Sequence, residues 1–233
     1  PRPFRPDFSY PYSIGELKLH TKNVLFSSVI PTATSGERVM ILNSGKEELS
    51  VQTDKLPSYL MAEINPSVLK PGETGEITLL FDGHAAKKPG RYTDNITLNV
   101  SKGGKKVKGK LQVSANLVDD FSRLSATAKA NAPQIQLSST LIDFGVLSDK
   151  GKANQKFKVT NNGKSPLVIH SISCENELVT IQGGKKEIKP GATCTFTVQL
   201  RPKEIKTKLE ALINIVCNDP NGPVRLIKIS ASK

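Results

Sequence analysis

This 233-residue chain has no tryptophan, only two methionines, three cysteines and three histidines, and no long apolar run. Each scarcity excludes something. No stretch approaches the roughly 20 apolar residues that a membrane-spanning helix needs, so the sequence as given does not cross a bilayer by a helix. Cysteine and histidine are too few and too scattered for a metal centre or a redox motif: there is no CxxC, no HExxH and no acidic cation loop. His20 and His84 have no second ligand at metal-like spacing and read as surface or edge residues. No Gly-x-Ser-x-Gly elbow is present. Gly103-Gly104-Lys105 and Gly183-Gly184-Lys185 lack the remainder of a phosphate loop and read as hairpin turns. Catalytic residues, metal ligands and cofactor sites are therefore all expected to be absent. The chain begins at Pro1 rather than Met, which reads as the loss of an upstream segment.

What the sequence does contain is valine, isoleucine and leucine in short runs punctuated by glycine, proline and asparagine, a pattern of strands rather than helices. The length suits two domains of about 110 residues. The formal charge is +12. Residues 1–120 carry 16 Lys+Arg against 13 Asp+Glu and residues 121–233 carry 17 against 8, so the second half holds +9 of the excess. Its lysines fall where turns are expected, Lys185, Lys186 and Lys189 in one and Lys203, Lys206 and Lys208 in another. They form a candidate basic surface, and the plainer reading is solvated turn tips. In the first half Lys102, Lys105, Lys106, Lys108 and Lys110 flank Gly103-Gly104 in the same way. No stacking aromatics are interleaved with these lysines, which disfavours nucleic acid. An anionic polysaccharide or a membrane surface remains open as a partner.

The two halves repeat each other. Leu19–Phe26 aligns with Leu137–Phe144 at an offset of 118, and Val39-Met40-Ile41-Leu42-Asn43-Ser44-Gly45-Lys46 aligns with Phe157-Lys158-Val159-Thr160-Asn161-Asn162-Gly163-Lys164 at the same offset. Lys70-Pro71-Gly72 meets Lys189-Pro190-Gly191 at an offset of 119. Asn-x-Gly-Lys after an apolar run is turn chemistry, in which Gly45 and Gly163 would supply a positive φ and the asparagine a bond to nearby backbone. Pro-Gly suits a type II turn. Strands with an alternating apolar face follow, Ile77, Leu79 and Phe81 in one copy and Phe196, Val198 and Leu200 in the other. Further strands are expected at Asn95–Val100, Val107–Ala115, Leu212–Val216 and Val224–Ala231.

The expectation is an all-β chain: two tandem immunoglobulin-like antiparallel β-sandwiches of about seven strands each, joined by a short, partly helical linker. Residues 1–13, rich in proline, form an extended arm; residues 14–118 and 133–233 form the sandwiches. In the linker, 119–132, Asp119-Asp120 would cap a short helix with Phe121, Leu124 and Ala128 on one side, ended by Ala130-Asn131-Ala132-Pro133.

The run Ile142-Asp143-Phe144-Gly145, the segment Phe157–Ile169, then Ser173-Cys174 and Lys189-Pro190-Gly191 resemble an uncharacterised bacterial family of exported Ig-like repeats. That family is similar in turn to Hydin-type (ASH) and major-sperm-protein sandwiches. The first copy resembles it more loosely, with Leu25-Phe26-Ser27 in place of Asp-Phe-Gly. Where the family often reads Ser-Cys-Gly-Cys, this chain has Ser173-Cys174-Glu175-Asn176, so one of the paired cysteines is missing. The resemblance implies export to the periplasm or surface of a Gram-negative bacterium and supplies no biochemical role.

All three cysteines lie in the second copy. Cys194 shares strand parity with Phe196, Val198 and Leu200, and Cys217 with Ile213 and Ile215; the aligned first-copy residues are Gly75 and Val100. A structural disulfide between Cys194 and Cys217 is one reading, and two buried thiols the other. Cys174 and His170 stand four apart on a strand, roughly 13 Å, too far for a nucleophile and base unless a bulge intervenes. The function expected is a non-catalytic structural or protein-interaction module whose partner is an unknown protein or cell-envelope component. The alternatives are a periplasmic chaperone or assembly factor acting by β-strand addition, and anionic glycan binding by the basic second domain.

Overall fold

The computed structural model describes residues 9–148 and 153–233. Contacts divide the chain into two compact units, Pro1–Lys87 with Tyr92–Ala115, and Lys88–Arg91 with Asn116–Lys233. Among the described residues no helix is long and apolar enough to cross a membrane.

In chain order the first ten strands are β1 (Tyr12–Ile14), β2 (Leu17–Leu19), β3 (Asn23–Val29), β4 (Thr34–Asn43), β5 (Leu49–Thr53), β6 (Leu60–Asn65), β7 (Val68–Leu69), β8 (Thr74–Asp82), β9 (Gly90–Lys102) and β10 (Lys105–Leu117), with one helical turn, α1 (Gly83–Ala86). They make two sheets, β1-β2-β4-β8-β6 and β3-β10-β9-β5-β7. Period-2 alternation decides which residues meet between them: in β8, Gly75, Ile77, Leu79 and Phe81 are buried while their neighbours are not. Phe81 also packs against the rings of Phe26, Tyr59 and Tyr92, at centroid distances of 5.8, 5.5 and 5.5 Å. The Tyr59 hydroxyl donates to Asp94 at 2.7 Å. Burial, and then that bond, hold its ionisation above the ordinary tyrosine range.

The next nine strands are β11 (Ile135–Leu137), β12 (Leu141–Val146), β13 (Ala153–Asn161), β14 (Leu167–Cys174), β15 (Val179–Gly183), β16 (Glu187–Ile188), β17 (Thr193–Leu200), β18 (Lys208–Cys217) and β19 (Val224–Ser232). A single turn of helix, α2 (Ala126–Ala130), precedes them and a 3-10 turn, Pro202–Glu204, follows β17. The sheets are β11-β13-β17-β15 and β12-β19-β18-β14-β16, with β12 parallel to β19. Their shared core includes Phe157 and Phe196, stacked at 5.3 Å, with Val159, Val198, Ile213, Ile215, Ile227 and Ile229 fully out of water. Burying each such side chain is worth about 1.5–3 kcal/mol. Both halves are thus β-sandwiches in tandem, and the strands beyond seven per copy are short pieces of two or three residues.

The repeat read from the sequence is a repeat of hydrogen bonds. Asn43 and Asn161 are fully buried. Asn43 donates to the carbonyls of Glu47 and Leu69 at 2.8 and 2.9 Å and accepts from the Gly45 amide at 2.8 Å. Asn161 donates to Ser165 and Ile188 at 2.8 and 2.9 Å and accepts from Gly163 at 2.9 Å. Each asparagine ends a strand of one sheet and ties it to the two-residue strand of the other, β7 or β16. Lys70–Glu73 and Lys189–Ala192 close as turns at 3.0 Å, with Gly72 and Gly191 both at φ 73°. Strand register keeps the offset too: Ile41 faces Gly75 as Val159 faces Cys194, and Val51 faces Val100 as Ile169 faces Cys217.

Several local expectations are corrected. Gly45 and Gly163 do not use a left-handed backbone; crowding demands glycine at Gly163, where a Cβ would strike the Ala132 and Pro133 backbone, whereas at Gly45 it would strike only the movable Glu16 carboxylate. The linker helix is capped by Ser125, whose hydroxyl accepts the Ala128 amide at 3.1 Å, while Asp120 instead holds a turn through the Ser122 amide. Gly103-Gly104 does close the β9–β10 hairpin, but Gly183-Gly184 is a crossover from one sheet (β15) to the other (β16). Tyr12 and Ser13, expected in the arm, pair with Leu19 and Lys18. Residues 1–8 of that arm lie outside the described residues.

Candidate functional site

The six lysines of the candidate basic surface do not converge. Lys185 and Lys186 lie on the β15–β16 crossover and Lys189 opens the turn into β17. Lys203 and Lys206 follow the far end of that strand, and Lys208 opens β18. Eight residues of extended chain separate the two groups by roughly 26 Å. Lys208 is tied to Glu210 at 2.7 Å, holding that carboxyl below its usual range. Among the described residues Lys185, Lys186 and Lys189 have no carboxylate at ion-pair distance. In the first unit Lys102 bridges Glu16 at 2.9 Å and Glu47 at 3.3 Å, and Lys108 reaches Asp54 at 3.6 Å, while Lys105, Lys106 and Lys110 have no carboxylate at ion-pair distance among the described residues. The Glu16 bond holds Lys102 protonated above its ordinary range.

Beside Lys185 and Lys186 the second sandwich opens. A slot of about 270 Å³ runs between β14 and β15, lined by Ile169, Ile172, Ile181 and Phe196 and rimmed by the two lysines. Three features of the sequence create it. Gly183 and Gly184 turn the chain with φ of 83° and 72°, and a Cβ on Gly184 would collide with the Phe196 ring, so glycine brings the backbone down onto that side chain. The strand β14 carries a bulge: Ile169 faces Cys217 but Ser171 faces Val216, which leaves His170 as the extra residue. The bulge inverts strand parity, so Leu167 and Ile169 face the core before it and Ile172 and Cys174 after it. Finally, β16 covers only Leu167 and Val168 of β14, and β15 pairs only with β17, so the slot lies between two sheet edges.

His170, displaced by the bulge, turns to Asp119, with Nε2 2.7 Å from the carboxylate. This pair sits at a second cavity of about 380 Å³, walled by Phe121, Leu124, Ala128, Val168 and Pro220. Ser165 and Asn218 at its wall spend their polar atoms on backbone, Ser165 on Asn131 and Asn218 on Val168 and Pro166. The bulge therefore does not deliver His170 to Cys174. Burial pushes the Cys174 thiol up, away from the thiolate a nucleophile requires.

Of the two readings for Cys194 and Cys217, the structure has the thiols and not the bridge; all three cysteines are free. Cys194 is half-buried at the start of β17, while Cys217 is fully buried and its Sγ lies 3.8 Å from the Gly222 carbonyl in the β18–β19 turn. Burial pushes the Cys217 thiol up to about 11. The same turn holds a residue that the sequence reading missed. Asp219 has no exposed surface, accepts the Ile135 amide at 3.0 Å and the Asn221 amide at 2.9 Å, and lies 3.7 Å from Arg225. Asn-Asp-Pro-Asn-Gly signals a turn. Nothing in that signal says that the carboxylate reaches back to the first strand of the unit.

The fold and this site together define a tandem Ig-like β-sandwich with an open edge in its second copy. Residues 135–231 match the family described as "Protein of unknown function (DUF1573)". A protein of unknown function from Porphyromonas gingivalis W83 is 29% identical over 94% of this chain and 100% of its own, with a TM-score of 0.80. The ASH/PapD-like domain 7 of human CEP192 is 12% identical, covering 52% of this chain and 99% of its own at a TM-score of 0.38. The E. coli chaperone DraB is 12% identical, covering 93% and 98%, at 0.37. No curated protein matches the chain.

Proposed function

We propose that the chain is a non-catalytic protein-interaction module of an exported bacterial protein, with the second sandwich as the binding half and the first as its structural support. The observation that carries this reading is the apolar slot at the edge of β15, rimmed by Lys185 and Lys186, which have no carboxylate at ion-pair distance among the described residues. Uncompensated charge next to uncovered apolar surface contributes nothing to folding that a neutral turn would not, and it steers and anchors a partner. The test is in-cell crosslinking with a lysine-reactive reagent followed by mass spectrometry. Crosslinks to one protein partner concentrated on residues 169–196 are expected. A hydrolase or redox activity of the purified chain that is lost in Cys174→Ala or His170→Ala would overturn the reading.

Glycan binding by one continuous basic face has less support, because the six lysines divide between opposite ends of β17. Strand addition has a specific observation in its favour, the unpaired edge of β15.

A further inference from the structure

The two sandwiches manage the same edge differently. In the first, β6 is the edge strand beside β8; it carries Glu63, and Pro66 follows it on the crossover. Charge and proline on an edge are the usual means of preventing a further strand from pairing there. In the second, β15 is Val-Thr-Ile-Gln-Gly, with no charge and no proline, and strand register aligns Gly184 with Asn65 and Lys185 with Pro66. Val179 and Ile181 face inward, the first buried and the second lining the slot, while Thr180 and Gln182 face outward. An edge of five residues leaves two or three backbone donor–acceptor pairs pointing away from β17. Immediately beyond it stand Lys185 and Lys186.

We infer, building on the interaction-module reading, that the second unit adds an extended acidic segment of a partner protein as a new strand along β15. Alternate apolar side chains of that segment enter the slot against Ile172, Ile181 and Phe196, and its carboxylates meet Lys185 and Lys186. The occupant is a peptide because the edge presents backbone groups at strand spacing over an apolar slot, which a polysaccharide matches in neither respect. It is acidic because the two rim lysines have no carboxylate at ion-pair distance among the described residues.

The test uses the full chain and three synthetic nonapeptides: one alternating valine with glutamate, its valine–lysine counterpart, and one with the same composition as the first but with its glutamates and valines in separate blocks. Fluorescence anisotropy should show binding of the alternating acidic peptide alone, weakening as salt rises. Amide exchange should show new protection at residues 179–183. Lys185→Glu combined with Lys186→Glu should weaken binding by about tenfold or more at an unchanged melting temperature. Ile181→Asp, checked for folding in the same way, should abolish it. Absence of binding, equal binding of the block peptide, or binding without protection at 179–183 would overturn strand addition. Displacement by dextran sulfate with no edge protection would identify a general polyanion surface instead and would also overturn it. If the peptide arm fails while crosslinks still map to the second unit, strand addition falls and the module reading stands; if no crosslinks form, both fall.

Discussion

The two sandwiches share a corner and differ at the crossover beside it. Both are built on one corner, the buried asparagine that ties a sheet end to the short strand opposite. They diverge where the chain crosses between sheets, at Asn65-Pro66 in one and Gly183-Gly184 in the other. In the first copy Gly75 makes room for the crossover, since a Cβ there would lie 2.9 Å from the Asn65 carbonyl and 3.0 Å from Pro66. In the second copy the small residue is on the crossover itself, at Gly184, and the aligned strand position is Cys194. The pair of sites is preserved with its small residue moved from one side to the other, and that exchange accompanies the slot. Charge does not follow that division: each unit has lysines matched with carboxylates, Lys102 and Lys108 in one and Lys208 and Lys228 in the other, and each has lysines with no carboxylate at ion-pair distance among the described residues. On the proposed reading, two copies of one fold separate a supporting role from a binding role by changing a crossover.

The comparison can be broken most easily at the shared corner. Asn43→Ala removes three side-chain hydrogen bonds and Asn161→Ala the same three plus a longer one from the Gln134 amide at 3.3 Å, and each should destabilise its own unit by about 3 kcal/mol. Denaturant unfolding followed separately in the two units should give nearly equal losses, and a markedly smaller loss for Asn43 would show that the corners are alike in geometry only. The glycines beside them should differ. Gly163→Ala meets backbone and should cost about 2 kcal/mol or more, whereas Gly45→Ala meets the movable end of Glu16 and should cost about 1 kcal/mol or less.

A pH effect is expected in the second unit at Cys217. The Cys217 thiol holds its proton to about 11 in the folded chain against an ordinary value of 9.0. Between those limits the unfolded chain has lost a proton that the folded one retains, so stability falls as pH rises from about 9 to 11, by about 2–3 kcal/mol. Below pH 9 the contribution is complete. Cys217→Val should flatten this part of the pH profile measured by urea unfolding, and an unchanged slope would assign it to other groups. In the denatured, unreduced protein three thiols should titrate, where a Cys194–Cys217 bridge would leave one. The smallest effects are at the lysines: Lys102→Ala should lower the first unit's melting temperature slightly, and less in high salt, whereas Lys185→Ala should not change it.

Much of this molecule was legible before any coordinates. The alternation of Ile77, Leu79 and Phe81, the two Pro-Gly turns and the recurring Asn-x-Gly are local signals, and each specifies a local conformation. The offset between the copies carries the register as well, because aligned residues occupy aligned rungs. The candidate site was less legible. Lys185, Lys186 and Lys189 resembled Lys203, Lys206 and Lys208 as turn lysines, and only strand direction places them at opposite ends. The bulge at His170 leaves no mark in Leu-Val-Ile-His-Ser-Ile-Ser-Cys, since a one-residue change of pairing depends on the partner strand. Gly183-Gly184 gave the right backbone and the wrong connection: a positive φ is a property of the residue, whereas hairpin or crossover depends on which strands it joins.

By itself, then, the sequence determined the sandwich, its duplication and the asparagine corners, because these follow from side-chain periodicity and turn chemistry within a few residues. Tertiary structure alone decided that a slot lies beside β15, that the six lysines divide between the two ends of β17, and that Asp219 closes a turn against a strand 84 positions away. Those outcomes depend on which distant segments share an edge, and contact at a distance along the chain is set by packing rather than by any residue's own preference.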